Sequence, residues 1–220
     1  MRLYYRFMRF LSQVAMMLYF RMRVFGVGRF PKTGGVLLVS NHQSFLDPLL
    51  ATCAVYREGN YMARDTLFAN PLFGRLIASL NAFPVKRGAG DVGAVKETLR
   101  RLKAGKVVLV FPEGTRTRDG SIGTINPNSL SIARRAGVAI VPAVVDGAYE
   151  AWPRSKSLPR PGTVYVTYAE PLTAEQVRTW PGEQVACVVN ERMHTAMAQS
   201  NAKRRRALSQ PQRPAPSQGR

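Results

Sequence analysis

Two unbroken apolar runs constrain this chain more than any other feature: "VLLV" at 36–39 and "VVLVF" at 107–111. Both are far too short for a buried helix, and neither alternates apolar with polar residues. A strand with one wet face alternates, whereas a strand covered on both faces does not. Runs of this kind belong in a parallel sheet with helices on either side. The rest of the pattern agrees. "VLLVS", "NYMA", "AFPV", "KVVLVF", "VAIVPAVV" and "TVYVTYA" read as strands. Between them lie "FLDPLLATCAVY", "NPLFGRLIASL", "DVGAVKETLRRLKAG" and "NPNSLSIARRAG", then residues 173–200 with a break at Pro181-Gly182, all helical in spacing. Asn70 stands before Pro71 in cap-then-proline order, Asp91 caps the next helix, and Gly105 and Gly137 follow helix ends. The expectation is a single α/β domain over 29–202, a mixed, mostly parallel sheet flanked by helices.

Residues 1–28 form a separate segment. A helix is predicted over 2–25, with Phe7, Leu11, Val14, Leu18, Met22 and Phe25 recurring at spacings of three and four. Arg2, Arg6, Arg9 and Gln13 fall on the other side. Aromatics and methionines opposite arginines suit a helix lying in a membrane interface, and a helix packed on the domain is the alternative. The longest uncharged run there, Phe10–Phe20, has 11 residues, against the ~20 needed to cross a bilayer. No cleavage site follows it. Charge points the same way: 32 Lys and Arg against 13 Asp and Glu give +19, a surface that attracts anionic lipid or an acidic partner. Cys53 and Cys187 sit in apolar stretches and read as buried thiols in a reducing compartment. From Lys203 the pattern stops, and 203–220 reads as a basic disordered tail.

"SNHQSFLDPLL" at 40–50 ends the first strand and carries one of two histidines. Asp47-Pro48 is where a helix should start, so Asp47 is a candidate N-cap. One carboxylate oxygen can cap while the other turns back to His42. A histidine held at Nδ1 by a carboxylate has a fixed tautomer and offers Nε2 as a general base. No G-x-S-x-G elbow is present, and two scattered histidines with two cysteines make no zinc shell. A base without a protein nucleophile points to a nucleophile in the substrate, such as an alcohol. "VVLVFPEGTRTRDG" places Glu113, Gly114, Thr115 and Arg116 after a second strand end, and "NAFPVKRG" places Lys86 and Arg87 after a third. In open α/β folds, ligands bind at such ends, and Arg116 can grip a phosphate through two N–H groups.

Taken in order, "NHQSFLDP", "AFPVKRG", "FPEGTRT" and "IVPAVV" resemble the four motif blocks of the glycerolipid acyltransferase family, most closely the bacterial 1-acyl-glycerol-3-phosphate acyltransferases. The resemblance covers 36–146. H-x-x-x-x-D alone is weak; with F-P-E-G-T-R about 70 residues later it is specific. It implies acyl transfer from a thioester donor, acyl-CoA or acyl-carrier protein, to a glycerol hydroxyl. His42 would be the base and Asp47 its orienter. Arg87, Glu113, Gly114, Thr115 and Arg116 would hold a phosphate-bearing lysophospholipid acceptor. No cofactor, metal or nucleic acid is implied, and the setting would be peripheral, on the cytoplasmic face of the inner membrane. The chain departs from the family pattern at Asn81, where relatives commonly carry Gly, and at "INPNS", where they often carry a Phe-Lys-x-Gly-like segment.

Two rivals remain. "GAGDVG" at 88–93 fits G-x-G-x-x-G, with Glu113 at 20 residues' remove, as in a nucleotide-dependent oxidoreductase. Pro84 inside the preceding strand, and Lys86 and Arg87 before the first Gly, fit that fingerprint poorly. A non-enzymatic basic module binding membrane or RNA would use the charge but leave the His–Asp and Glu-Gly-Thr-Arg blocks idle.

Overall fold

β2 (Val36–Ser40) lies at the middle of a sheet, with β5 (Val107–Val110) on one side and β6 (Ala139–Asp146) on the other, both parallel to it. The computed structural model describes residues 3–86 and 91–209. Within them β3 (Gly59–Arg64) and β4 (Ala82–Val85) extend the parallel sheet beyond β5. β7 (Tyr165–Tyr168) pairs antiparallel with β6, and β1 (Arg23–Phe25) pairs parallel with β7. The order is β1-β7-β6-β2-β5-β3-β4. The mixed, mostly parallel sheet expected from the sequence is therefore present.

Its two faces hold two cores, because successive strand residues point to opposite sides. Val36, Leu38, Val107 and Leu109 meet Leu50 of α2 (Asp47–Cys53) and Met16 and Phe20 of α1 (Leu3–Phe20). Leu37, Val39, Val108 and Val110 meet the other face's helices. These are α4 (Val92–Lys103), α5 (Pro127–Ala136) and α8 (Gly182–Ser209), contributing Leu102, Leu130 and Met193. The short α3 (Pro71–Ser79), α6 (Ala148–Ala151) and α7 (Ala174–Thr179) complete the fold. The chain leaves β2 toward β3 on one side, and leaves β5 to reach β6 on the other. The crevice of this reversal opens at the carboxyl end of β2.

The amino-terminal helix ends earlier than its periodicity suggests. It stops at Phe20, and Arg23–Phe25 become edge strand β1, which only its distant partner β7 could specify. The helix also sits with its polar side inward. Arg9 Nη1 donates to Val55 O (3.0 Å) and Gln13 Nε2 to Cys53 O (2.7 Å), meeting carbonyls at and beyond the end of α2. Tyr5, Met16 and Phe20 are buried alongside. Phe7, Phe10, Leu11 and Leu18 face outward and are 51–79% exposed.

Asn81 explains one departure in sequence. Its φ is +71°, a left-handed conformation that Gly adopts freely and Asn tolerates best among side-chain-bearing residues. "INPNS" starts α5, with Asn126 Oδ1 accepting from Asn128 N and Pro127 following. Cys187 is exposed on α8 and only Cys53 is a buried thiol, correcting the expectation for both.

The domain does not end at 202. α8 runs on to Ser209, so the tail reading fails for 203–209, and residues 210–220 lie outside the described ones. The reason is Arg204. Its guanidinium meets Asp146 at the end of β6 (Nη2 to Oδ1, 2.9 Å) and Glu150 on α6 (2.9 Å). Asp146 is 2% exposed, and its burial pushes the carboxyl up while Arg204 pulls it back. Arg204→Ala should leave this carboxylate without its cation, with only the Asn201 amide beside it, and cost up to about 3 kcal/mol, the lower end for a broken buried pair. Asp146, raised further without its partner, is tolerated when protonated and costs stability as pH rises through its folded pKa. The deficit in melting temperature should therefore be larger at neutral than at acid pH; equal deficits at both would remove the ion pair as the cause.

Candidate active site

The loop from Asn41 to Leu46 carries the chain from the central strand into α2. Asn41, Gln43 and Ser44 within it are buried, and its flanks are tied down. Asn41 Nδ2 donates to Val145 O (2.9 Å), and Val145 N donates to Asn41 Oδ1 (2.8 Å), locking the loop's start onto β6. Thr117 N donates to His42 O (2.8 Å), fastening it to the loop after β5. Gln43, 3% exposed, bridges both neighbours: its Nε2 donates to Gly120 O (2.7 Å), and Tyr149 N at α6 donates to its Oε1 (3.2 Å). Sequence reasoning passed over Gln43, because a polar residue between His and Ser looks like ordinary loop until its partners, 77 and 106 positions away, are known.

His42 and Asp47 meet as expected, with Nδ1 to Oδ2 at 2.8 Å. Asp47 is fully buried, and His42 keeps 20% of its side chain exposed. The expected division of labour between the carboxylate oxygens does not hold. Asp47 makes no side-chain cap for α2; Leu46 is the N-cap residue. Oδ2 alone accepts from Gln43 N (2.5 Å), Ser44 N (2.6 Å) and His42 Nδ1, while Oδ1 is buried with no hydrogen-bond partner among the described residues. The turn through Ser44–Leu46 folds the preceding N–H groups back onto the carboxylate, so the loop takes it before the helix can. Burial pushes the Asp47 carboxyl up, and His42 and the two N–H groups pull it down. The His42 ring also stacks on Phe111 at 4.0 Å between centroids and 12° between planes. Held at Nδ1 and against one face, the ring has Nε2 left for a substrate.

The Phe-Pro-Glu-Gly-Thr-Arg block forms the facing wall. Glu113 turns inward: Oε1 accepts from His42 N (3.2 Å), and Gly123 N–H also bonds the carboxylate. The first bond braces the His42 loop and the second holds the Glu113 carboxylate to its own segment, so the side chain is turned into the protein. Gly114 has φ +68° and is exposed with Thr115, placing the turn at the surface of the crevice. The Arg116 guanidinium carbon lies 3.5 Å from the centroid of the Phe45 ring, a cation–π seat. Phe45 in turn packs on Trp152 at 5.5 Å. The structure thus brings His42, Asp47, Glu113, Gly114, Thr115 and Arg116 to one crevice. Arg87 lies outside the described residues, as does the 88–90 part of the glycine-rich loop. Asp91, which follows, caps α4 and accepts from Lys86 N and Ala94 N. β4, the strand before it, is the sheet's edge, not the central strand a dinucleotide fingerprint requires. Among the described residues no cluster of His, Cys, Asp and Glu could hold a metal.

An open α/β sheet with a His–carboxylate pair buried at the end of its central strand, and an arginine loop facing it, defines the class of protein. Residues 21–146 match the model of the Acyltransferase family, and the chain belongs to that family. It is 28% identical over 158 residues to the chloroplast 1-acyl-sn-glycerol-3-phosphate acyltransferase of Arabidopsis thaliana, covering 70% of this chain but 44% of that protein. To the 1-acyl-sn-glycerol-3-phosphate acyltransferase of Bacillus subtilis it is 25% identical, covering 78% of this chain and 84% of that one. The match thus spans less than half of the plant relative and most of the bacterial one. The crystal structure of the 1-acyl-sn-glycerophosphate acyltransferase PlsC from Thermotoga maritima superposes with a TM-score of 0.78 at 28% identity, covering 90% of this chain and 80% of that one.

Burial pushes the Glu113 carboxyl up to about 7, with the Asp47 charge adding to the rise. The folded protein holds this proton more tightly than the unfolded chain, so Glu113's contribution to stability is full below the ordinary carboxylate range and fades as pH climbs through about 7. Glu113→Gln cannot titrate. Its melting temperature relative to wild type should rise between about pH 5 and about pH 8; a constant difference across that range would contradict a buried, proton-holding Glu113.

Proposed function

We propose that this protein transfers a fatty acyl group from acyl-CoA or acyl-carrier protein to the free hydroxyl of a lysophospholipid, 1-acyl-glycerol-3-phosphate, giving phosphatidate. The observation that carries the reading is the His42–Asp47 pair at the head of the crevice, with no serine or cysteine among the described residues hydrogen-bonded to the His42 ring as a nucleophile. Asp47 Oδ2 fixes the ring with its Nδ1 proton toward the carboxylate. Nε2 then takes the proton of the acceptor hydroxyl as the oxygen attacks the thioester carbonyl. Collapse of the tetrahedral adduct breaks the carbon–sulfur bond, and the imidazolium returns the proton to the leaving thiolate. The buried carboxylate stabilises the imidazolium while it exists. Arg116 and the Gly114-Thr115 turn hold the acceptor's phosphate, a role Arg87 of the second block would share, and Glu113 keeps the His42 loop in register. Family membership and the names of the relatives support the chemistry and the acceptor.

Seating follows from α1. Its outward face, Phe7, Phe10, Leu11 and Leu18, suits the headgroup–acyl boundary on the cytoplasmic leaflet, where a lysolipid acceptor resides. No helix among the described residues is long and apolar enough to cross a membrane.

The direct assay is purified protein with labelled acyl-CoA and lysolipids differing in headgroup. His42→Ala should lower kcat by at least about 100-fold, the scale of a positioned general base, with its melting curve intact. Asp47→Asn keeps an acceptor oxygen for the loop N–H groups but loses the charge, so it should fold and lose most of its turnover. A folded His42→Ala protein within a few-fold of wild-type turnover would end the general-base mechanism.

The acceptor clamp is tested separately. Arg116→Lys keeps the charge but loses the planar fork and its stack on Phe45. Acceptor KM should rise, with donor KM little changed. Unchanged kinetics for both substrates would take Arg116 out of the site.

A further inference from the structure

The segment between α6 and β7 carries three exposed cations, Arg154, Lys156 and Arg160, around an exposed leucine, Leu158, which is 77% accessible. None of the three has an acidic partner among the described residues. Nor is the segment a loose excursion. Lys156 N donates to Pro153 O (3.1 Å), Trp152 Nε1 to Lys156 O (3.0 Å) and Arg160 N to Ala151 O (2.7 Å), closing the loop at its root and folding it back on itself. A leucine left out of a loop whose backbone is this well tied has been placed outside, not lost from the core.

The loop's position relative to α1 gives it a partner. Tyr19 OH donates to Pro159 O (3.1 Å), pinning the loop against the carboxyl-terminal turn of the helix. The two elements share an apolar groove of about 530 Å³, walled by Leu18, Tyr19 and Phe20 from the helix, Pro159 from the loop and Leu46 from the catalytic loop. Leu18 is 79% exposed beside it. The outward apolar face of α1 therefore continues into the loop, and where it does the surface adds three cations to the exposed Leu158.

We infer that the 153–160 loop is a second membrane contact, with Leu158 entering the interface and Arg154, Lys156 and Arg160 binding the headgroups of anionic lipids. The partner is the negatively charged surface of a bilayer. This rests on the reading of α1 as a membrane-seated helix and adds to it. One helix lying in an interface fixes a line and leaves the domain free to roll about it. A second contact beside the line removes that freedom. Leu158 enters as an apolar group that salt does not screen, and the cations add a headgroup attraction that salt does. The loop's root makes this matter for the site. Trp152 packs on Phe45, whose ring seats Arg116, so fixing the loop on the lipid also fixes how the Arg116 side of the crevice sits against it.

The test uses the full chain with two sets of vesicles, phosphatidylcholine alone and phosphatidylcholine mixed with phosphatidylglycerol, read by sedimentation. The triple variant Arg154→Gln, Lys156→Gln, Arg160→Gln should lose affinity for the anionic vesicles on the order of a hundredfold, and change little on neutral ones. Leu158→Ser should weaken binding to both sets, and the fluorescence of a Leu158→Trp variant should shift to the blue on binding. Turnover of all three variants on a detergent-dispersed acceptor should match wild type, which also reports that they fold. Wild-type vesicle affinity in both the triple variant and Leu158→Ser would overturn the inference. So would a triple variant that binds vesicles normally but loses turnover with acyl-carrier protein as donor, since the cations would then serve an acidic protein. The parent reading is separated by Phe7→Ser with Leu11→Ser on α1. If those changes abolish binding while the loop variants do not, the loop inference alone fails. If neither set affects binding, the membrane reading fails with it.

Discussion

A single oxygen, Asp47 Oδ2, accepts from His42 Nδ1 and from the backbone N–H groups of Gln43 and Ser44, and the carboxylate itself is fully buried. Buried N–H groups left without an acceptor cost roughly 1–3 kcal/mol each, so the turn exists only because the carboxylate is there. The carboxylate in turn is affordable in that burial only because three donors converge on it. The catalytic geometry and the local fold are therefore one arrangement. The five-residue spacing from His42 to Asp47 is what lets the chain turn once and bring the two side chains together. The surrounding bonds, Asn41 to β6, Glu113 to His42 N and Gln43 to two other segments, keep that turn on the central strand's end.

The same economy runs through α1. A surface helix normally buries its apolar stripe and wets its polar one. Here the inward side combines Tyr5, Met16 and Phe20 with Arg9 and Gln13, whose side chains meet carbonyls where α2 ends. Those carbonyls lack intrahelical partners in any case. The polar groups thus complete α2, and the helix is fixed to the domain without spending its phenylalanines and leucines. An apolar face so left is stable in water only at a cost, which a lipid interface removes.

What could be read in the sequence follows from how local each cause is. β2, β5 and β6 were legible because burial on both faces writes itself into consecutive residues. Asn70, Asp91 and Gly137 were legible because caps act within a few positions. The His42–Asp47 contact was legible at a spacing of five, yet which oxygen does what was not, since the cap and the loop compete for one carboxylate and only the fold of Ser44–Leu46 decides. β1 was hidden because three residues cannot signal a strand whose partner is β7. The last turns of α8 were hidden because "KRRR" looks like a solvated run until Arg204 finds Asp146, 58 positions earlier. Gln43 was hidden for the same reason. Asn81 was visible as a departure from a family pattern, but its meaning, a left-handed backbone that Asn can also hold, needed the dihedral angle.

The arrangement also relates chemistry to location without a separate hinge. His42 sits on a strand end, held by buried hydrogen bonds, whereas Leu18, Leu158 and the outward face of α1 sit on the periphery. They are joined by short contacts between rigid parts: Trp152 against Phe45, Phe45 beneath Arg116, and Leu46 between α1 and α2. Phe45 and Leu46 lie between His42 and Asp47 in the chain. The residues that face outward to seat the Arg116 guanidinium and to line the apolar groove are thus the ones enclosed by the turn that holds His42. Displacing Phe45 relative to the sheet would have to disturb the N–H groups on Asp47 Oδ2, which the buried turn resists. The Arg116 guanidinium is therefore held at a position relative to His42 that the loop itself defines. The His42–Asp47 pair and the Arg116 seat keep their register because eleven residues of chain, 40–50, contain both the pair and Phe45, the ring on which that seat rests.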